Sequence, residues 1–202
     1  MNKAILMMLA SAWVATSGAI ADAQQAVRLR GTIKKVDGNV LALKAADGAA
    51  VKLTLANDAQ VIAVVKASMA DIKENTFLGS AAMPQTDGTQ KALEVHIFPE
   101  QMRGTGEGHR PYAPVANSTM TNGTASGATV TGVEGATITV KYKDGEKKII
   151  VPPGIPIVRY EIGSPTDLKP GAHFTVLAAT KKPDGTFEAS RINVGRDGVV
   201  PQ

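Results

Sequence analysis

Short stretches in which apolar and polar residues alternate run through most of the chain, and Asp-Gly pairs separate them. Around the Asp-Gly pair at 47–48, apolar side chains alternate over 40–43 and 51–55, which predicts two strands joined by a hairpin turn. The same arrangement returns over 138–151, around a second Asp-Gly pair. A period of two rather than 3.6 residues puts successive side chains on opposite faces, so the chain is predicted to consist of β-strands.

Residues 31–98 and 128–194 form an internal repeat with an offset of 97, which slips to 96 in the middle. Three acidic-Gly turns and an Asp-Ile/Leu-Lys element occur in the same order in both copies. The turns lie at 37–38, 47–48 and 87–88 in the first copy and at 134–135, 144–145 and 184–185 in the second. A period this long indicates two whole domains rather than the stacked units of a solenoid.

Each copy continues with a short apolar strand, one turn of helix and a closing pair of strands. The helical turn is predicted to begin at Ser68 in the first copy and at Ser164 in the second, where Pro165 takes a favoured first position. The predicted strands are 61–65, 77–82 and 92–98 in the first copy and 155–160, 174–179 and 187–194 in the second. Five or six short strands with one helical turn predict an all-β fold of two tandem small OB-like β-barrel domains, with a β-sandwich as the alternative.

The N-terminal segment has the pattern of a signal peptide rather than of a domain. Lys3 precedes an apolar run over 4–14 that is too short for a comfortable membrane span, and an Ala-Asp-Ala sequence ends at Ala23. We therefore expect residues 1–23 to be a signal peptide cleaved after Ala23, with Ala21 as the alternative site. The mature protein is expected in the periplasm or outside the cell, without a membrane span.

The repeat divides the rest of the chain into two predicted domains, 27–98 and 128–198. Between them, 99–127 is predicted to be a loop rich in Gly, Arg and His, followed by a small-polar linker. The loop has no counterpart in the second copy, and loops held on a rigid scaffold often carry function.

Both copies carry the pattern x-[IV]-x-x-V-[DE]-G, followed by D-G, D-[IL]-K and D-G-T-x-x-A. This pattern resembles the exported bacterial domain-of-unknown-function family DUF5666, and the resemblance covers both copies, hence most of the mature chain. It implies the fold of each copy but no reaction, since members of that family have no established activity.

Composition narrows the classes of function. The chain of 202 residues has no Cys, which excludes disulfide scaffolds, thiolate metal sites and cysteine nucleophiles. There is no G-x-S-x-G elbow, and the repeated Asp residues are explained as turn formers, so we do not expect an enzyme. Lys and Arg number 22 against 18 Asp and Glu, spread over both copies, and aromatic residues make up only 4%. Nucleic acid is therefore not an expected partner.

One candidate site combines two histidines at the end of the first copy with nearby ligand-type side chains. On the last strand of that copy, Glu94 and His96 are predicted to lie on the face away from the core. The core-facing residues of this strand are predicted to be Leu93, Val95 and Ile97. With His109, Glu107 and Met102, the first pair provides imidazole, carboxylate and thioether ligands that suit Zn, Cu or Ni. The alternative is a pair of solvated histidines that bind no metal.

A second candidate in the same segment is a site for an anion or a partner protein. Two arginines flank a glycine run whose free amides could form a nest. The residues are Arg103, Gly104, Gly106, Gly108 and Arg110. No helix follows the run and Pro111 comes next, so it is not a dinucleotide fingerprint.

The two copies differ where Glu94 and His96 of the first correspond to Arg191 and Asn193 of the second. We therefore expect an exported, non-catalytic binding or accessory module that uses the segment 94–112 and the groove between the domains. Its partner would be an unidentified periplasmic protein or small ligand. The alternative function is a periplasmic metal-handling protein that uses the two histidines.

Overall fold

The computed structural model describes residues 26–130 and 135–201, and the predicted signal peptide lies outside them. The described residues form twelve strands hydrogen-bonded into one continuous sheet. The strands are β1 (Val27–Asp37), β2 (Val40–Ala45), β3 (Ala50–Lys66), β4 (Phe77–Pro84), β5 (Gln90–Ile97), β6 (Gly108–Pro111), β7 (Thr119–Val130), β8 (Ala136–Tyr142), β9 (Gly145–Val151), β10 (Ile157–Ile162), β11 (His173–Lys181) and β12 (Phe187–Gly195). Single 3-10 turns lie at Met69–Asp71, Glu100–Met102 and Pro165–Asp167. The all-β prediction is confirmed.

The hairpin predicted around residues 47–48 forms in the expected register. β2 and β3 are antiparallel, with Leu43 opposite Val51. In the turn between them, the Asp47 carboxylate accepts a hydrogen bond from the Ala49 amide at 3.0 Å. The alternation of apolar residues and the turn chemistry were therefore sufficient to place this part of the sheet.

The predicted helical turns are single 3-10 turns, each closed by a serine and an aspartate. The Asp71 carboxylate accepts hydrogen bonds from the amide and the hydroxyl of Ser68, both at 2.8 Å. In the second copy, Asp167 accepts from the Ser164 amide at 2.9 Å, and Pro165 begins the turn as predicted. These reciprocal caps fix where each turn starts.

Two rings of strands share the sheet. In the first ring, β1, β2 and β3 pair in sequence, β11 pairs with β1, and β12 closes the barrel by pairing with both β11 and β3. In the second, β5, β4, β7, β8 and β9 pair in that order. A short parallel pairing of Gln90 with Ile149 and of Lys91 with Ile150 closes this ring.

Each ring takes strands from both copies of the repeat. Strands β1 to β3 of the first copy close with β11 and β12 of the second, whereas β4 and β5 of the first copy close with strands that come later in the chain. This pairing differs from the expectation that 27–98 and 128–198 each form a barrel of their own.

The length of β3 explains the exchange of strands. It has 17 residues, where the alternation had predicted two separate strands at 51–55 and 61–65. Its first half pairs with β2, and its second half pairs with β10 of the second copy, with Ile62 opposite Ile162. A strand of this length extends about 55 Å at 3.3 Å per residue. The chain after Lys66 therefore emerges beside the second ring and builds β4 and β5 there.

The segment 113–127, predicted to be a linker, contributes most of a central strand. β7 lies between β4 and β8 and also pairs with β6. Most of its residues are small or β-branched, and at Gly123 the neighbouring strand comes close, since an added Cβ would overlap the Lys141 carbonyl oxygen. Thr121 and Ala125 are buried. The linker prediction is therefore wrong for β7, where small size serves close strand packing rather than flexibility.

Separate apolar clusters fill the two rings, and a third lies between them. The first barrel is filled around Leu41, Leu53 and Phe174, and the second ring around Leu78 and Ile138. The third cluster consists of Ile62, Phe77, Phe98 and Met102, with Tyr160 packed against it. This junction cluster joins β3 and β10 to β4 and to the segment that follows β5, and it supports the site described next.

Candidate functional site

A cavity of about 180 Å³ opens at the junction of the two rings. Side chains of β4, β5, β6, β7, β10, β11 and β12 all reach it, so both rings and both copies contribute to its wall. Its apolar wall includes Phe98, Met120 and Leu177. Its polar wall consists mainly of Glu94, His96, Arg110, Asn122, Arg191 and Asn193.

The internal repeat explains why the divergent residues meet. β3 and β10 lie side by side and antiparallel, and each carries a parallel neighbour on its other side. His96 on β5 pairs with Val158 on β10, and Asn193 on β12 pairs with Ile62 on β3. Because these two pairings are equivalent under the repeat, positions 94 and 96 of one copy and 191 and 193 of the other line the same cavity.

The strand β5 carries a bulge that changes which of its residues are buried. Ala81 pairs with Glu94 but Ala82 pairs with Ala92, so Leu93 is the extra residue. Its side chain is 38% exposed, and the prediction that it faces the core is wrong. Val95 and Ile97 are buried as predicted, but Glu94, His96 and Phe98 on the other face are buried as well. That face packs against the junction cluster rather than facing solvent.

His96 is buried among aromatic rings and stays neutral. It is 7% exposed, its ring stacks on Tyr160 at 5.2 Å between centroids, and it meets the Phe98 ring edge-on at 5.1 Å. Burial, reinforced by the charge of Arg110, lowers the pKa of His96 to about 4. The ring fits here only because residue 79 is glycine: a Cβ at Gly79 would lie 2.2 Å from His96 Nε2.

Glu94 is a buried carboxyl without a strong partner. It is 8% exposed, and burial raises its pKa to about 7, against the opposing charge of Arg28. The nearest basic atom is His96 Nδ1, at 3.9 Å from the carboxylate. Since burial drives both groups toward their neutral forms, this contact is not a strong ion pair, and Glu94 is close to half ionised near neutral pH.

Three buried polar atoms in the cavity wall have no hydrogen-bond partner: Oδ1 of Asn122, Oδ1 of Asn193 and Nε of Arg191. The amide of Asn122 donates through Nδ2 to the Thr105 carbonyl at 2.9 Å, which fixes its Oδ1 as an acceptor without a partner. Buried polar atoms in folded proteins are nearly always paired, and an unpaired one costs about 1–3 kcal/mol. Among the described residues, three of the five buried side-chain atoms without a partner therefore lie around this one cavity; the other two are on Arg28 and Ser126.

Positive charge predominates in the cavity wall. Arg110 donates to the Gly106 carbonyl at 2.6 Å, and Arg191 is partly buried, which lowers its pKa. The charge of Arg110 acts on His96, and that of Arg191 acts on Tyr160. Because His96 and Tyr160 stack on each other, both guanidinium groups lie near the same ring pair. Burial also raises the pKa of Tyr160, so its hydroxyl remains protonated.

Of the five residues predicted to bind a metal, the structure brings only Glu94 and His96 together. His109 Nδ1 lies 2.8 Å from the Thr121 hydroxyl, and Glu107 accepts a hydrogen bond from the Lys143 amide at 3.0 Å. Met102 packs in the junction cluster. Within 26–130 and 135–201, no three His, Cys, Asp or Glu side chains form a group that could hold a metal ion.

The predicted anion-binding set divides into two parts. Arg103 is bound elsewhere: it pairs with Glu100, donates to the Asn75 carbonyl at 2.9 Å and covers the Phe77 ring. Gly104 accepts a turn hydrogen bond from the Glu107 amide, and Gly108 begins β6. Only Gly106 and Arg110 of the predicted set line the cavity. The glycine run therefore shapes a turn that delivers Arg110 to the site.

Sequence reasoning missed two important residues of this wall. Asn122 lies in the segment that was predicted to be a linker, and Tyr160 was assigned only to a strand end. The difference between the two copies at 94, 96, 191 and 193 was the useful signal, because all four side chains are polar or charged at positions that the fold buries or half-buries. That signal could have been extended to the strands that pair with them.

Comparisons of the chain with protein-family models, with curated proteins and with solved structures give no significant match. The resemblance to the DUF5666 family has no support from these comparisons and stays a prediction from the sequence motifs. In the part of the chain that the structure describes, there is no helix of the length and apolarity needed to cross a membrane.

Proposed function

We propose that this protein is an exported, non-catalytic binding module that holds a small polar ligand in the junction cavity. The observation that carries the proposal is the set of unpartnered buried atoms on Asn122, Asn193 and Arg191. A ligand that pairs with them would remove the free-energy cost of leaving them unsatisfied, and this gain would contribute to affinity.

The side chains of the cavity wall favour ligand binding over catalysis. Arginine and asparagine recognise groups by hydrogen bonding, whereas Glu94 and His96 are 3.9 Å apart, too long for a hydrogen bond that would pass a proton between them. Tyr160 keeps its proton and packs on His96. The wall therefore offers recognition groups on a rigid sheet without an activated nucleophile.

The test is a fragment screen by ligand-observed NMR with the wild-type protein and two matched variants. Asn193→Leu removes one unpartnered acceptor at a buried position, and Asn57→Leu makes the same change at an exposed position on β3. We expect a subset of fragments to bind wild type and Asn57→Leu and to lose at least tenfold affinity for Asn193→Leu. If no fragment distinguishes the two variants, the cavity is not a binding site.

Export is tested separately, because it rests on the pattern in residues 1–23. The full chain is expressed in a bacterial host, the cells are fractionated, and the purified protein is sequenced from its N-terminus. We expect periplasmic protein that begins at Gln24. Cytoplasmic protein that retains Met1 would contradict export without affecting the proposed ligand site.

A further inference from the structure

The charges in the cavity wall specify the chemistry of one end of the ligand. Arg110 and Arg191 both line it, and Glu94 is its only acidic residue among those the structure describes. Arg191 is partly buried and its Nε has no partner. A half-buried guanidinium with an unpaired N–H donor is less stable than a solvated one. An anionic group placed here would be stabilised both by the positive charge and by a hydrogen bond to Nε.

The acceptor atoms specify the other end. Asn122 Oδ1 is held as an acceptor by the hydrogen bond that its amide group makes to Thr105, so it requires a donor from the ligand. An ammonium group would need a nearby full negative charge, which Glu94, buried and only partly ionised, does not provide. A neutral hydroxyl meets the requirement, because it donates without bringing a second charge into the cavity.

The apolar wall and the volume exclude two other classes of anion. Phe98, Met120 and Leu177 cover a part of the cavity that inorganic phosphate would leave empty. A cavity of about 180 Å³ holds roughly six water-sized groups at 30 Å³ each, so a ligand of about six to ten non-hydrogen atoms fits inside it, whereas most of a nucleotide would lie outside.

We propose that the ligand is a small organic hydroxycarboxylate, bound with its carboxylate at Arg191 and Arg110 and its hydroxyl at Asn122. This inference rests on the proposed binding function and assigns the ligand class to the same cavity.

The experiment compares matched probes by titration calorimetry. Lactate and 4-hydroxybenzoate are the hydroxycarboxylates; lactamide and 4-hydroxybenzamide lack the charge; benzoate lacks the hydroxyl; and inorganic phosphate has no organic body. We expect at least one hydroxycarboxylate to bind at least tenfold more tightly than its amide, 4-hydroxybenzoate to bind more tightly than benzoate, and phosphate to bind most weakly.

Two variants then locate the carboxylate. Arg191→Gln removes the half-buried guanidinium in the cavity wall, and Arg30→Gln removes an exposed one on β1 that does not line the cavity. We expect Arg191→Gln to lower the carboxylate-to-amide affinity ratio severalfold, with Arg110 as the remaining cation, and Arg30→Gln to leave the ratio unchanged. Because the ratios between probes are measured on the wild-type protein, the inference can be judged even if Arg191→Gln does not fold.

The failures of the two proposals are distinguishable. If amides bind as tightly as carboxylates, or if only phosphate binds, the hydroxycarboxylate assignment is overturned while the cavity remains a binding site. The same holds if fragments of another class bind in the screen and none of these probes does. If neither the screen nor the probes give binding that depends on the cavity residues, the proposed function fails as well.

Discussion

Replacing Glu94 by Gln should stabilise the protein at alkaline pH and leave it almost unchanged at acidic pH. The glutamine keeps the shape and polarity of the protonated carboxyl but cannot ionise. The wild-type protein, in contrast, must accommodate a buried carboxylate without a close cationic partner once the pH rises. The variant therefore isolates the free-energy cost of that charge.

The magnitude follows from the pKa of Glu94 in the folded state. Its rise from 4.5 to about 7 corresponds to about 3 kcal/mol of stability, at about 1.4 kcal/mol for each tenfold change in proton affinity. The folded state favours the protonated form, so this stability is fully present below pH 4.5, is lost as the pH rises from 4.5 to about 7, and does not change further above that range. At pH 8 the variant should be about 3 kcal/mol more stable than wild type.

Urea denaturation followed by circular dichroism, at pH 4.5 and at pH 8, measures the difference. Glu146→Gln is the control, because Glu146 is an exposed carboxylate on β9 and the same substitution there should change stability by less than about 0.5 kcal/mol at either pH. A Glu94→Gln variant whose stability relative to wild type is the same at both pH values would refute the reasoning. It would mean that Glu94 is solvated or paired in the folded protein.

Three further predictions follow from the same geometry. In the Glu94→Gln background, stability should fall by about 3 kcal/mol as the pH drops from 6.5 to about 4, because His96 is neutral in the folded protein and charged in the unfolded chain. The same urea titrations should show that adding His96→Gln abolishes this loss. Gly79→Ala should destabilise the folded protein by about 1–3 kcal/mol and weaken fragment binding, because the new Cβ would overlap His96 Nε2 and Asn122 Oδ1. Thermal unfolding measures the loss of stability, and the NMR screen measures the loss of binding. An unchanged melting temperature would contradict the close packing at Gly79. Fragments 26–112 and 113–201, purified separately and mixed, should form a stable 1:1 complex with native circular dichroism, since each ring needs strands from both; a fragment that folds alone as a monomer would contradict the interleaved pairing.

Local features could be predicted from the sequence because they depend on neighbouring residues. The hairpin at 40–55 follows from apolar alternation around a turn, and the capped turns at Ser68 and Ser164 follow from side chains three residues apart. The burial of the residues at 94 and 96 could not be read in the same way. Alternation gives the two faces of a strand, but it does not say that the second face will be covered by another part of the fold.

The larger errors concern pairings between distant residues. The alternation predicts separate strands before Ala56 and after Gln60, yet residues 56–59 form the bulged part of β3, where the register against β12 shifts between Ala189 and Arg191. The small residues of β7 suggested a linker, although Gly123 is small because Lys141 approaches it closely. In both places the local pattern was ambiguous, and a partner strand more than ten residues away decided the structure.

The exchange of strands gives the internal repeat a structural consequence that two separate barrels would not have. If each copy closed its own barrel, the residues at 94 and 96 would lie in one domain and those at 191 and 193 in the other. Because β5 and β12 instead flank the shared pair of β3 and β10, substitutions at equivalent positions of the two copies change a single cavity. One copy then supplies an ionisable acid and a neutral imidazole, and the other supplies a guanidinium and an amide. Divergence of a repeat can thus create an asymmetric site, with a cationic wall and fixed acceptors, that no symmetric pair of identical copies could form.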